Sequence, residues 1–146
     1  MKSILMLVFM LSILFSSCKK YNNGGWVSKA DKRISAHPWK LEKYLRNGND
    51  ETSQLLINNF AEIFAENGAI IRNYTDSNGE PFSESGNWSF DNEKMQINLT
   101  GVGSIELTIQ TSTVSASDYN IIRLKKDELW YYYDNGGSRH EFHLIK

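Results

Sequence analysis

Short runs of β-branched and aromatic residues, separated by turn-forming dipeptides, constrain the fold of this chain most strongly. Turn signals such as Asn47-Gly48, Asn78-Gly79 and Asn135-Gly136 recur from about residue 34 onward. Between them, apolar residues alternate with polar ones, which places the apolar side chains on one face of a strand. The clearest alternating sets are Met95, Ile97 and Leu99; Ile105, Leu107 and Ile109; and Leu129, Tyr131 and Tyr133. The pattern predicts an all-β fold.

The predicted strands are numerous enough to close on themselves. They lie near residues 38–46, 58–66, 69–75, 83–91, 94–99, 104–114, 118–125, 128–134 and 139–145. Consecutive antiparallel strands of this number close into an up-and-down β-barrel, because closure removes the exposed edges. A chain of 146 residues suffices for one such domain. We therefore predict an eight- or nine-stranded antiparallel β-barrel.

The segment from residue 52 to residue 66 fits two kinds of secondary structure. Leu56, Phe60 and Phe64 lie at helical spacing, and Gly68 would end such a helix. A strand over residues 58–66 instead puts Phe60 and Phe64 on one face and turns at Asn67-Gly68 into the next apolar run. We favour the strand because the surrounding pattern is β throughout.

Four segments of the predicted barrel resemble those of a known family. They are HPWKLEKYL at 37–45, NFAEIFAENGAIIRNY at 59–74, GNWSF at 86–90 and YNIIRLKKDELWYYY at 119–133. In these motifs the chain is similar to the small lipocalin-like lipoproteins of Bacteroidota-type bacteria. The resemblance implies an eight-stranded antiparallel lipocalin-like barrel with a cavity or a packed interior, and it implies no catalytic residues.

The first twenty residues read MKSILMLVFMLSILFSSCKK and are typical of a secretory signal. Lys2 precedes an apolar stretch, Ile4–Phe15, that is short of the roughly 20 residues of a membrane-spanning helix. Phe15-Ser16-Ser17-Cys18 resembles the lipobox of bacterial lipoproteins, which implies cleavage before Cys18 and acylation of its thiol. Cys18 is the only cysteine, so it cannot form an intramolecular disulfide. We expect residues 1–17 to be a signal peptide and Cys18 to carry lipid.

The lipoprotein resemblance also implies a location. Lys19 stands where Asp would favour inner-membrane retention, so we expect the outer membrane. The basic Lys19-Lys20-Tyr21 lacks the acidic surface-export signal, which favours a domain facing the periplasm. Residues 18–35 are polar and rich in Gly and Asn, so we predict a flexible tether before a barrel domain at residues 36–146.

Composition and spacing argue against several chemistries. With 16 Lys and Arg against 17 Asp and Glu, the chain gives no reason to expect nucleic-acid binding. His140 and His143 are three residues apart on a predicted strand, so they point to opposite faces and cannot share a metal ion. Carboxylates such as Glu62 and Glu66 are interpreted as solvated charges. We predict no catalytic residues, no metal and no cofactor.

The aromatic residues carry the functional hypotheses. The inward set is predicted to be Trp39, Phe64, Trp88, Phe90, Tyr131, Tyr133 and Phe142. These rings either fill the barrel as a core or line a pocket for a small hydrophobic or amphipathic ligand. Trp130 and Tyr132 are predicted to face outward, where they are candidates for contact with an envelope protein. The first hypothesis is therefore a lipid-anchored ligand-binding barrel, and the alternative is a solid-core interaction or inhibitor module.

Overall fold

A computed structural model describes residues 19–146; residues 1–18, with the predicted signal peptide and Cys18, lie outside the described part. One short helix, α1, spans Ala30–Ile34, and 3₁₀ turns span Val27–Lys29 and Thr52–Gln54. No helix within residues 19–146 is long and apolar enough to cross a bilayer. The strands are β1 (Trp39–Arg46), β2 (Asn49–Asp50), β3 (Asn58–Phe64), β4 (Ala69–Thr75), β5 (Pro81–Phe90), β6 (Gln96–Thr100), β7 (Ile105–Thr108), β8 (Ser112–Val114), β9 (Asp118–Leu124), β10 (Glu128–Asn135) and β11 (Ser138–Ile145).

Eight antiparallel strands form a closed barrel. Their order around the barrel is β11-β10-β9-β6-β5-β4-β3-β1, and β1 pairs with β11 to close the ring. The short β2 adds a ninth strand to β1. The predicted antiparallel barrel of eight or nine strands is confirmed.

The ambiguous segment is a strand, as predicted, over Asn58–Phe64. Phe60, Glu62 and Phe64 all point inward and are buried, whereas Ile63 faces the other side and is half-buried. A helix would have buried Ile63 beside Phe60 and Phe64. The turn that follows requires glycine because Gly68 has a φ of +86°, in the left-handed region.

The prediction of one strand over residues 104–114 is wrong. The chain turns back between β7 and β8, where Thr111 adopts a φ of +60° and donates its backbone N–H to the Thr108 carbonyl. The register shifts between Glu106 and Thr108, and Ile109 at the tip is 72% exposed. β7 and β8 pair only with each other as a two-stranded sheet among the described strands. We call residues 103–114 the lid hairpin.

The prediction of a flexible tether does not hold for residues 19–35, which pack on one end of the barrel. Tyr21, Ala30 and Ile34 are at most 2% exposed, and the Tyr21 hydroxyl donates to the Lys94 carbonyl at 2.7 Å. These apolar side chains are spaced too widely to form a periodic pattern, so the polar composition concealed them. The Trp39 indole N–H donates to the Ile34 carbonyl at 2.7 Å and fixes α1 to β1. We call this end, covered by residues 19–36, the closed end.

Candidate ligand site at the mouth of the barrel

A buried ion pair lies inside the barrel between β3 and β4. Glu62 and Arg72 are direct partners in the register and are at most 1% exposed. Arg72 donates from Nε and Nη2 to Glu62 Oε1 at 3.0 and 2.8 Å, and Tyr131 donates to Oε2 at 2.7 Å. The interpretation of Glu62 as a solvated charge is therefore wrong. Burial alone lowers the pKa of the Arg72 guanidinium, but the Glu62 carboxylate reverses this and holds that pKa above its usual value.

A set of tyrosine and histidine rings continues this network through the interior. Tyr119 packs edge-on against Tyr131 with ring centroids 4.9 Å apart, and Tyr133 stacks on His140 at 4.8 Å. The Tyr44 hydroxyl lies 2.7 Å from His140 Nδ1. Burial raises the pKa of Tyr119 to about 12 and lowers the pKa of His140 below its usual value. The centre of the barrel is thus occupied by neutral rings and one matched ion pair.

The seven predicted ligand-binding residues fall into two groups. Trp39, Phe64, Tyr131, Tyr133 and Phe142 are at most 3% exposed and belong to the packed interior. Trp88 and Phe90 are half-buried and lie towards the closed end. The Trp88 ring contacts Phe64 and Phe90 edge-on, with centroids 5.5 and 5.2 Å apart, and its N–H donates to the Ala65 carbonyl. Contact of any of these residues with a ligand stays a prediction.

Trp130 and Tyr132 face outward, and cationic side chains lie over their rings. Trp130 stacks on His143 with centroids 3.9 Å apart, and the Arg123 guanidinium lies 4.3 Å from its ring centroid. Arg139 lies 3.9 Å from the ring centroid of Tyr132. His143 is therefore on the outer face of β11, opposite the inward His140. A partner protein at Trp130 and Tyr132 stays a prediction.

The lid hairpin covers the end of the barrel opposite the closed end. Leu107 and Val114 of the hairpin are buried, and the Leu107 carbonyl accepts the Leu56 N–H at 2.6 Å. Arg46 donates to the Ser112 hydroxyl at 3.2 Å, and the Tyr133 hydroxyl donates to the Thr113 carbonyl. The lid hairpin is thus held by polar groups of the barrel wall as well as by apolar packing.

A cleft of about 220 Å³ remains between the lid hairpin and the β4–β5 pair. We call it the mouth cleft; its lining is Leu56, Ile57, Tyr74, Asp76, Ser77, Phe82, Ser104, Ile105 and Glu106. Tyr74 and Phe82 are register partners on the inner face of β4 and β5, and their rings stack with centroids 5.4 Å apart. Phe82 is nevertheless 46% exposed. The cleft therefore has an open aromatic wall.

The rim of the mouth cleft is acidic. Asp76 Oδ1 accepts the backbone N–H groups of Asn78 and Glu80 at 2.8 and 2.9 Å. These hydrogen bonds hold the pKa of the Asp76 carboxyl below its usual value, so the group is ionised at neutral pH. Glu106 is exposed on the opposite side of the cleft. The site thus combines an aromatic wall with negative charge.

The sequence interpretation missed the mouth cleft, although one signal was available. The strand predicted from residue 83 begins at Pro81, so Phe82 shares the inward parity of Trp88 and Phe90. Tyr74 likewise shares the parity of Ile70 on β4. Extending these two alternations to the strand ends would have placed both rings at the barrel rim. The contributions of Ile57 and Ile105 depend on loop packing and had no such signal.

Comparison with known proteins supports the architecture alone. The sequence matches no protein-family profile and no curated protein. The structure is similar to a crystal structure of a lipocalin-like protein from Bacteroides uniformis, with a TM-score of 0.51 and 14% sequence identity. The match covers 77% of this chain and 98% of the other.

The fold is lipocalin-like. The lipocalin-like barrel accounts for the closed ring of eight strands, and it agrees with the fold that the sequence motifs implied. In this chain five of the seven predicted ligand-binding rings are packed inside the lipocalin-like barrel, and the exposed Phe82 makes the mouth cleft the candidate binding surface.

Proposed function

We propose that this protein is a lipid-anchored protein of the bacterial envelope that binds a small amphipathic molecule at the mouth cleft. The observation that carries the proposal is the half-exposed Tyr74–Phe82 stack on the inner face of the barrel. Trp39, Phe64 and Phe142, which share that inner face, are at most 2% exposed. An apolar group seated on the stack would remove this remaining aromatic surface from water, which is favourable.

The lining of the mouth cleft favours one chemical class of ligand. Its volume of about 220 Å³ is below the usual range for drug-sized molecules, so the ligand is small. Asp76 and Glu106 give the rim negative charge, and no Lys or Arg of residues 19–146 is among the lining residues. We therefore propose a ligand with an apolar or aromatic body and a cationic head.

Replacing Phe82 with alanine is expected to weaken binding of 2-phenylethylamine about tenfold. The loss follows from removing one half of the aromatic wall, since about 1.4 kcal/mol corresponds to a tenfold change. Titration followed by NMR shifts of cleft residues measures the affinity. The control is Phe90→Ala, which removes a more buried phenylalanine ring of the same strand towards the closed end and is expected to leave the affinity unchanged.

A second probe tests the proposed preference of the mouth cleft for a cationic head. The amine is expected to bind more tightly than 3-phenylpropionate, which has the same aromatic body with a carboxylate head. Equal affinities for the two probes, or equal losses in Phe82→Ala and Phe90→Ala, would contradict the proposed site.

Replacing Cys18 with alanine is expected to abolish acylation and to move the protein from the membrane fraction to the soluble fraction. Several buried acyl chains, at about 0.8 kcal/mol per CH₂ group, give a durable anchor that no other residue replaces. Intact mass and membrane fractionation measure both effects. Ser17→Ala keeps a small residue before the cysteine and serves as the control. A Cys18→Ala protein that still carries acyl mass would overturn the anchor.

Contact with an envelope protein through Trp130 and Tyr132 is the second candidate function. Both rings face outward on β10, which favours a surface role. Arg123, His143 and Arg139 already lie over them, however, so little free aromatic surface is left for a partner. The mouth cleft is the better supported site because nothing in residues 19–146 covers Phe82 to the same degree.

A further inference from the structure

A second cleft, at the closed end, is lined by cations. Its volume is about 490 Å³, and we call it the basic cleft; its lining is Ser28, Lys29, Lys32, Arg33, Ala36 and Lys126. Within residues 19–146, no Asp or Glu belongs to this lining. The lysine stems and Ala36 supply apolar surface between the charged heads. The cleft therefore suits a ligand that has both an anionic group and adjoining apolar atoms.

The cations of the basic cleft are held on fixed elements. Arg33 is half-buried and donates from Nη1 to the Leu124 carbonyl at 2.9 Å. The Lys126 carbonyl lies 3.0 Å from His37 Nε2, which ties the β9–β10 turn to the segment after α1. α1 itself is fixed through the Trp39–Ile34 hydrogen bond. These hydrogen bonds fix the backbone segments that carry the cationic side chains of the basic cleft.

Two neighbouring carboxylates form ion pairs with cations outside the basic cleft. Asp31, on α1, forms an ion pair with Lys94. Glu128 pairs with Arg123 at 2.8 Å and lies 3.7 Å from Lys125. Asp127 follows Lys126 in the same turn and is exposed. The basic cleft therefore keeps an excess of positive charge that an anion can use.

The basic cleft lies where the chain enters the described structure. The Lys19 carbonyl accepts the Val27 N–H at 3.0 Å, and Val27 begins the 3₁₀ turn that carries Lys29. Cys18 immediately precedes Lys19 in the sequence. If Cys18 is acylated, as proposed above, the Lys19–Val27 hydrogen bond holds the lipid attachment point close to the basic cleft, which brings the cleft to the level of the phospholipid headgroups.

We infer that the basic cleft binds the phosphate of an anionic phospholipid headgroup in the anchoring membrane. Lysine and arginine near an anionic membrane surface are attracted to it, and a guanidinium matches phosphate oxygens in a planar fork. This contact fixes the barrel upright, with the closed end on the bilayer and the mouth cleft directed away from it. The inference rests on the proposed lipid anchor for the source of the phosphate.

Native mass spectrometry of the acylated protein, released from detergent with added phospholipid, tests the inference. Phosphatidylglycerol is expected to be retained in preference to phosphatidylcholine of the same chains. A Lys29→Gln/Lys32→Gln/Lys126→Gln variant is expected to lose this preference, by about fivefold for each lysine removed. The control Lys40→Gln/Lys43→Gln/Arg139→Gln removes the same charge from other exposed positions and is expected to keep it.

Three outcomes would overturn the inference. The control variant losing the preference as fully as the cleft variant would show a general charge effect. Equal retention of both lipids by the acylated protein without substitutions would show that the basic cleft does not recognise the headgroup. Glycerol phosphate binding as tightly as phosphatidylglycerol would assign the cleft to a soluble phosphate instead. The same spectra report the acyl mass on Cys18, so failure of the lipid anchor is visible separately from failure of the basic cleft.

Discussion

Replacing Arg72 with methionine is expected to lower the free energy of unfolding by about 3–5 kcal/mol. The variant leaves the Glu62 carboxylate in the barrel interior without its cation, and Tyr131 alone still donates to it. An uncompensated buried charge is strongly destabilising because it has lost water without gaining a partner. Urea denaturation followed by tryptophan fluorescence measures the difference.

Two further variants test whether this loss of stability comes from the unpaired buried charge. Glu62→Leu/Arg72→Met replaces both charges with apolar groups and is expected to recover most of the stability, since the desolvation cost disappears with the charges. Arg139→Met breaks the exposed pair with Asp134 and is expected to change stability by less than about 1 kcal/mol. A loss in Arg72→Met no larger than that in Arg139→Met would contradict the importance of the buried pair.

Replacing Trp39 with alanine is expected to lower the free energy of unfolding by about 3–5 kcal/mol. Trp39 is fully buried, and its indole N–H holds the last carbonyl of α1. The substitution leaves a large cavity and also releases the helix that carries two cations of the basic cleft. Thermal unfolding measures the stability, and hydrogen exchange of residues 30–36 reports the release of α1.

The matched variants separate packing from hydrogen bonding. Trp39→Phe keeps most of the apolar volume but removes the donor to Ile34, and it is expected to cost about 1–2 kcal/mol. Trp26→Ala removes a tryptophan that is 37% exposed and is expected to cost less than about 1 kcal/mol. Equal losses at Trp39 and Trp26 would show that burial of Trp39 is not what stabilises the closed end.

Alternation along the chain predicted much of the barrel. Leu129, Tyr131 and Tyr133 share one face of β10 and are all buried, as the spacing of two residues requires. The same parity on β3 places Glu62 between Phe60 and Phe64, but its charge favoured a solvated interpretation. Burial of an ionised carboxylate is costly unless a cation pairs with it, and Arg72 reaches Glu62 through a strand register that a single sequence does not specify.

The two ends of the barrel were the least predictable parts. At the closed end, Tyr21 and Ile34 reach the barrel through contacts with distant residues such as Lys94, and no local period marks them. At the mouth, the lid hairpin turns at Thr111, a residue that seldom adopts a positive φ. Local propensity therefore favoured one continuous strand, whereas packing of Leu107 and Val114 over the barrel end decides the actual path.

Because β6 pairs directly with β9, the lid hairpin is not needed to close the barrel sheet. Gln96, Ile97 and Asn98 pair with Asn120, Tyr119 and Asp118, so the ring of backbone hydrogen bonds closes without residues 101–116. This segment is therefore an insertion between two adjacent strands of the barrel. The length and the side chains of this segment can change without altering how the strands of the barrel pair. The lining of the proposed mouth cleft can therefore change while the strand pairing of the barrel stays the same.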